Sequence, residues 1–250
     1  ASDQLSFLET TGHTSQMNDQ RCGLGHDSTC AARSGLAQQG WDLMLAARSD
    51  EQLVSLSADL SQYLGSVVFE SVDLTDPAAI APAMNRLLDS GTTPSVLINN
   101  AGAAYTGDLL SMPLERWQWL MQLNVTSVVQ VCSAVVPSMR DFGGLVINVS
   151  SHAARNAFPQ WGAYCVTKAA LASFTRCLAE EERCNGVRAC TLTLGAVDST
   201  LWDEETVQSN FDRRAMLSID QAANTLVQLA EQPSNQVIED LTLMPAIGAF

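Results

Sequence analysis

Lysine is almost missing from this chain of 250 residues: Lys168 is the only one, and twelve arginines carry every other fixed positive charge. An ammonium is a compact point charge on a flexible stem, which a planar guanidinium cannot replace in a tight pocket. One retained lysine therefore points to chemistry rather than to solubility. Positive charge as a whole is scarce, with a formal net charge of −14 and a pI near 4.4. That balance opposes binding to nucleic acid or to an anionic membrane, since both present negative charge. Paired cysteines are lacking as well. Cys22, Cys30, Cys132, Cys165, Cys177, Cys184 and Cys190 form no CxxC motif and are odd in number, so neither a disulfide framework nor a zinc site is expected, and a reducing cytoplasm is the natural home. No apolar run approaches the ~18 residues of a membrane span, and the polar N-terminus has no signal-like apolar segment. There is no Pro-, Gly- or Ser-rich linker and no internal repeat, so residues 1–250 read as one domain.

What is present is alternation. Short apolar runs at Leu43–Ala47, Ser66–Val72, Ser95–Asn99, Gly144–Val149, Gly186–Leu194 and Val237–Met244 read as strands. Between them, amphipathic stretches at Thr29–Gln39, Asp50–Gln62, Pro77–Asp89, Leu114–Met139, Gln160–Arg183 and Ile219–Glu231 read as helices. Strand–helix alternation predicts an α/β fold: a single-domain, doubly wound, Rossmann-like parallel sheet with helices on both faces. Ligands bind such sheets at the carboxyl ends of the strands, and the residues singled out below fall there or on a neighbouring helix.

Tyr164 precedes Lys168 by four residues, a spacing that puts both side chains on one helix face about 5–6 Å apart at Cβ. Bringing a phenol from a pKa near 10 to about 7 takes ~4 kcal/mol. A unit charge ~5 Å away at an effective dielectric of ~20 supplies ~3 kcal/mol. Lys168 is thus expected to lower Tyr164 most of the way. Upstream, Asn99-Asn100-Ala101-Gly102 closes the Val96-Leu97-Ile98 strand, Asn124 lies in the long helix, and Ser151 follows 27 residues later, with Tyr164 a further 13 along. Taken together these elements resemble the short-chain dehydrogenase/reductase family over roughly residues 30–250.

The resemblance implies hydride transfer between a nicotinamide cofactor and a carbonyl/alcohol substrate. Tyr164 would be the general acid or base, and Lys168 would lower its pKa and reach the cofactor ribose. Ser151 would bind the substrate oxygen, and Asn124 would anchor a water in a proton relay. Structural readings compete: Ser151 could cap a turn at a strand end, and Asn124 could be a buried amide bonded to backbone. Asn100, Ala101 and Gly102 would contact the cofactor. Ala47 occupies the position where NAD-preferring relatives carry an acid, and Arg48 beside it suits a 2′-phosphate, favouring NADP(H) over NAD(H). Asp73 and Leu74 resemble the adenine-contacting pair, although Asp73 could instead cap the helix beginning near Pro77. In Leu194-Gly195-Ala196-Val197-Asp198-Ser199, Gly195, Val197 and Ser199 stand at nicotinamide-contacting positions. The polar stretch Thr200–Arg214, with Trp202 and Phe211, should form a short lid suited to a small or medium substrate. A homo-oligomer, dimer or tetramer, is expected to pack through the two long helices by way of Val128, Val131, Leu171 and Phe174.

Residues 1–28 depart from the family pattern, which opens with an apolar strand and a TGxxxGxG loop that holds pyrophosphate. Without gaps, Gly23 takes the first glycine position and Asp27 and Thr29 the other two; with gaps, Gly12, Gly23 and Gly25 are used. The strand before the loop would be Leu5–Thr10 or Met17–Arg21. Asp27 beside two phosphate charges predicts weak NADPH binding, which keeps a second reading open: a family-like binding or regulatory protein that has lost cofactor affinity.

Overall fold

Along the central strands successive side chains point to opposite faces, and here each face is apolar enough to build its own core. The computed structural model describes residues 6–10, 28–209 and 211–248. In it β1 (Ser6–Thr10), β2 (Asp42–Ala47), β3 (Val67–Ser71), β4 (Val96–Asn99), β5 (Gly144–Ser151), β6 (Val187–Leu194) and β7 (Asp240–Leu243) form one sheet of order β3-β2-β1-β4-β5-β6-β7. Leu43, Leu45, Ile98, Ile147 and Leu192 face α1 (Ser28–Gln38), α2 (Asp50–Leu60) and α7 (Ile219–Ala230). Met44, Leu97, Val146 and Ala189 face α3 (Pro77–Leu88), α5 (Ser127–Met139) and α6 (Gly162–Glu182). The Rossmann-like α/β architecture read from the sequence is the one observed.

The first strand is the exception to parallel order. β1 pairs antiparallel with both β2 and β4, whereas β2–β3, β4–β5, β5–β6 and β6–β7 are parallel. Thr10 pairs with Asp42 and Glu9 with Val96, so β1 leaves the sheet at the amino ends of its neighbours, opposite the edge where Ser151 and Leu194 end their strands. Gly12, Gly23, Gly25, Asp27 and the Met17–Arg21 alternative lie outside the described residues.

The predicted helix Leu114–Met139 is continuous but built of three segments of two kinds. α4 (Leu114–Met121) runs into a π-helical turn at Gln122–Thr126 and then into α5. By length and composition alone this helix is apolar enough to cross a membrane, as a buried core helix also can be; its polar residues leave no apolar run near 18 residues. Its apolar side chains are occupied internally. Val128, Val131, Cys132, Val135, Val136 and Met139 are buried in the core. Val128, Val131 and Leu171 are 3 %, 1 % and 1 % exposed, and Phe174 packs on the same core. Val128, Val131 and Leu171 are therefore taken up by the chain's own sheet, while Phe174 is partly buried.

On the α6 face, near the carboxyl ends of the strands, the core turns polar. Asn99 Nδ2 donates to Asn148 Oδ1 (2.8 Å), Asn148 Nδ2 to Thr175 Oγ1 (2.9 Å), and Thr175 Oγ1 to the Leu171 carbonyl (2.8 Å). This buried ladder ties β4 to β5 and β5 to α6, the three elements that carry the site. Removing its middle member strands a partner on each side, at about 1–3 kcal/mol for each buried group left unpaired. Asn148→Ala is expected to lower the unfolding free energy by about 1–3 kcal/mol or more, read by circular dichroism as a urea midpoint reduced by that energy divided by an unchanged m-value.

Candidate active site

The site grows from three local features. β5 carries its extended conformation through to Ser151, whose hydroxyl accepts from the Ala153 amide (3.2 Å) and caps the short turn that follows. α6 starts two residues before Tyr164, and Lys168 lies one turn further along. The π-helical turn widens the helix at Asn124, a type of bulge that recurs at functional sites. The structure brings all four residues together: Tyr164 is 8 % exposed, Lys168 5 % and Asn124 0 %.

The Ser151 side chain lies close enough to the Tyr164 phenol to favour its ionised form, so Ser151 caps its turn and neighbours the phenol at once. The neighbouring Ser150 hydroxyl is spent on the Lys168 carbonyl (3.2 Å). Lys168 Nζ donates to the Val149 carbonyl (3.0 Å) and lies 5.8 Å from the centre of the Tyr164 ring. The Asn124 amide closes a ring with Ala103: Oδ1 accepts from the Ala103 amide (2.8 Å), while Nδ2 donates to the Ala103 carbonyl (2.8 Å) and to Thr167 Oγ1 (3.0 Å). The backbone-bonded reading of Asn124 thus describes its side chain, which fastens the segment after β4 to the helix that carries Tyr164.

The electrostatic expectation for Tyr164 is reversed. Burial pushes the phenol up to about 12, against the opposing hydrogen bond with Ser151, and burial holds Lys168 down at about 8. The spacing that brings the two side chains together also removes the water that would solvate a phenolate or an ammonium. A phenol that stays protonated across the neutral range is suited to donate its proton.

Two adjoining cavities receive these residues. One, of about 180 Å³, is lined by Asn100, Gly102, Ser151, Tyr164 and Lys168 together with Gly195, Val197, Ser199 and an aromatic wall. The other, of about 570 Å³, is lined by Arg48, Asp73 and Leu74. Ala103 and Thr200 border both. Of the expected contact residues, Ala101 differs, being turned into the core at 5 % exposure and lining neither cavity. Asp73 does not cap a helix: its carboxylate accepts from the Thr75 amide (2.8 Å) and hydroxyl (2.7 Å), and Asp76 caps α3 instead. Ala47 is 2 % exposed within the core. The second cavity also holds Arg116 and Trp119 from α4, which nothing in the motif spacing marked. Trp161 was likewise missed, although it lies three residues before Tyr164, one helical turn away.

Glycine makes the close approaches possible. A Cβ on Gly102 would lie 3.2 Å from both Asn124 Oδ1 and Lys168 Nζ, and one on Gly195 would lie 2.6 Å from Pro245 Cδ. The lid is stitched down. Trp202 Nε1 donates to the Val197 carbonyl (2.7 Å) and Thr206 Oγ1 to the Ala104 carbonyl (3.0 Å). Arg213 bonds Asp198 and Asp203, at 2.5 Å each, and the Ser199 carbonyl at 3.0 Å.

Residues 21–210 match the short chain dehydrogenase family. The chain belongs to that family, and its enzyme class is the NAD(P)-dependent dehydrogenases and reductases. It is 30 % identical over 227 residues to a serine 3-dehydrogenase of Rhizobium radiobacter, spanning 88 % of this chain and 90 % of that one. Among solved structures it resembles an alcohol dehydrogenase of the archaeon Thermococcus sibiricus complexed with 5-hydroxy-NADP (TM-score 0.81, 24 % identity, 88 % and 93 % of the two chains). It also resembles a metagenomic short-chain oxidoreductase in complex with NADP (TM-score 0.75, 25 % identity, 88 % and 92 %).

The buried lysine gives a pH signature of its own. Folded Lys168 releases its proton at about 8, against an ordinary value of 10.5. Between these values the unfolded chain holds a proton that the folded chain has released, so this residue makes stability rise with pH across the window. In denaturant titrations without added nucleotide, the stability of the wild type minus that of Lys168→Met is expected to grow by up to ~3 kcal/mol from pH 8 to 10.5, at ~1.36 kcal/mol per pKa unit. A flat difference would show a solvated ammonium.

Proposed function

We propose that this chain reduces the carbonyl group of a small or medium substrate with NADPH, and runs the reverse oxidation, using Ser151, Tyr164 and Lys168 as catalytic residues and Asn124 as a positioning residue. One observation carries the reading: the Tyr164 and Ser151 hydroxyls meet at the wall of a cavity that also takes in Asn100, Lys168, Val197 and Ser199. The nicotinamide cofactor supplies or accepts the hydride. Ser151 and Tyr164 together fix the substrate oxygen, and the protonated phenol gives up its proton as negative charge develops there. Lys168, held by the Val149 carbonyl, is within reach of a ribose placed at Gly102. Cofactor and substrate residues fit together because the two cavities meet at Ala103 and Thr200.

Support for NADP(H) over NAD(H) comes from Arg48, joined in the second cavity by Arg116. The lid brings Asp203, Glu204 and Glu205 to the same cavity, so a 2′-phosphate needs both guanidiniums to offset the carboxylates around it.

Two measurements test the reading. Tyr164→Phe keeps the ring and removes the proton donor, so turnover should fall by roughly 10²–10⁴ with an NADPH affinity, read by fluorescence titration, that barely moves. Near-normal turnover would sink the assignment, and wild-type protein that fails to bind NADPH would favour a binding or regulatory role. For the cofactor, Ala47→Asp would bury a carboxylate in the core, so Arg48→Ala is the cleaner variant. It should weaken NADPH binding about tenfold or more and leave NADH within about twofold, since one charge-assisted contact is worth about 1.5–3 kcal/mol; equal losses for both cofactors would remove the basis for an NADP(H) preference.

A further inference from the structure

We propose that the substrate is an uncharged carbonyl compound bearing one aromatic ring, seated against Trp161, Trp202 and Phe211, and not a free amino acid or another ionic metabolite. The proposal rests on the reading of Tyr164 and Ser151 as the pair that binds the carbonyl oxygen. The rings form a continuous wall that begins at the reacting phenol. Trp161 lies edge-on to Tyr164 with centroids 5.7 Å apart, Trp161 and Trp202 are 5.7 Å apart at 57°, and Phe211 is edge-on to Trp202 at 5.5 Å. Edge-to-face geometry at these separations is the arrangement that aromatic rings prefer, and a further ring joins such a cluster favourably.

The wall is more than packing beneath a lid. Trp202 and Phe211 are only partly buried, and both line the cavity. The Trp202 indole N–H is already committed to the Val197 carbonyl (2.7 Å), so Trp202 offers the substrate an apolar face with no donor. Leu201 and Phe158 extend the same lining.

Charge is distributed to match. Among the described residues no Asp, Glu or Arg lines this cavity, and its one fixed charge is Lys168, whose ammonium donates to the Val149 carbonyl. The lid's charged groups point elsewhere. Arg213 is held by Asp198 and Asp203 at 2.5 Å each, and Asp203, Glu204 and Glu205 line the neighbouring cavity. A zwitterion such as serine would have to give up the hydration of a carboxylate and an ammonium; Lys168, already bonded to the Val149 carbonyl, and His152 are the basic groups in the lining, and among the described residues no carboxylate lines the cavity to receive the ammonium, so the amino group would be desolvated unpaired, which is strongly unfavourable. In the reduction the carbonyl carbon takes the hydride and the oxygen takes the Tyr164 proton, with one NADPH oxidised for each ketone converted to a secondary alcohol.

The test uses the full chain and 4-fluoroacetophenone. Its ¹⁹F signal, observed without nucleotide, should broaden on adding protein and should not recover with a tenfold excess of L-serine. Trp202→Ala and Phe211→Ala should each weaken binding at least fivefold, and Trp202→Phe should restore most of it, which separates a lost ring contact from a disturbed lid. With NADPH the ketone should be reduced with a kcat/KM at least tenfold above that for serine oxidation with NADP⁺. Equal binding by wild type and both alanine variants, displacement by L-serine, or serine as the better substrate would overturn the ring site and leave hydride transfer standing. Ring-dependent binding with no turnover of any carbonyl would confirm the ring site and overturn hydride transfer.

Discussion

The site depends on a missing methyl group. At Gly102 the chain passes so close to Asn124 and Lys168 that a Cβ would meet a side-chain atom of each at 3.2 Å, tighter than ordinary carbon contacts. That approach is held by the two hydrogen bonds that pair the Asn124 amide with the Ala103 backbone and by the third that runs to Thr167. Because Thr167 lies between Tyr164 and Lys168 in sequence, one amide fixes the segment after β4 against the helix that carries the phenol and the ammonium. The π-helical turn at Gln122–Thr126 then has a physical purpose. A regular helix commits each carbonyl and amide to the i→i−4 ladder, whereas a bulge alters that pattern locally and sets Asn124 facing the strand end.

Burial secures this geometry and also determines its electrostatics. An exposed Tyr–Lys pair would behave as the simple Coulomb estimate suggests, with the cation favouring the phenolate. In this site both groups lose hydration, and the desolvation of each charged form outweighs the attraction between them, so the phenol moves up and the ammonium down. The proton is thereby kept on the phenol oxygen, the state that the proposed role of Tyr164 as proton donor requires. The polar ladder of Asn99, Asn148 and Thr175 lies just below, converting what would be unpaired polar groups in a dry core into cross-links between β4, β5 and α6.

Much of this was legible in the sequence, for identifiable reasons. Apolar periodicity reports which face is buried, so six strands and six helical stretches were placed within a few residues. The joint spacing of Asn124, Ser151, Tyr164 and Lys168 is fixed by the turns of the fold, so the four residues meet. Other features depend on contacts between distant segments and leave no local trace. The direction of β1 is a matter of pairing with β2 and β4, and nothing in Ser6–Thr10 encodes it. Whether Val128 and Leu171 face a neighbour or their own sheet depends on the same kind of contact, since both faces of a packed helix can be apolar. Arg116 and Trp161 were missed because they reach the cavities from helix termini, outside the motif positions. The sign of the Tyr164 shift was misjudged because spacing gives proximity and says nothing of the water excluded on packing.

The short lid after β6 shows how one segment can serve two chemistries. Its apolar side chains, Leu201, Trp202 and Phe211, face the cavity of Tyr164, and its carboxylates, Asp203, Glu204 and Glu205, face the cavity of Arg48 and Arg116. Thr200 borders both, the division falls between Trp202 and Asp203, and Phe211 returns to the first cavity. Arg213 keeps the division in register by tying the carboxylate of Asp203 to Asp198 and to the Ser199 carbonyl. Were the lid to shift by one residue, a carboxylate would enter the dry cavity and a ring the wet one, both unfavourable. The arrangement of the lid is therefore held by side-chain chemistry as much as by backbone bonds.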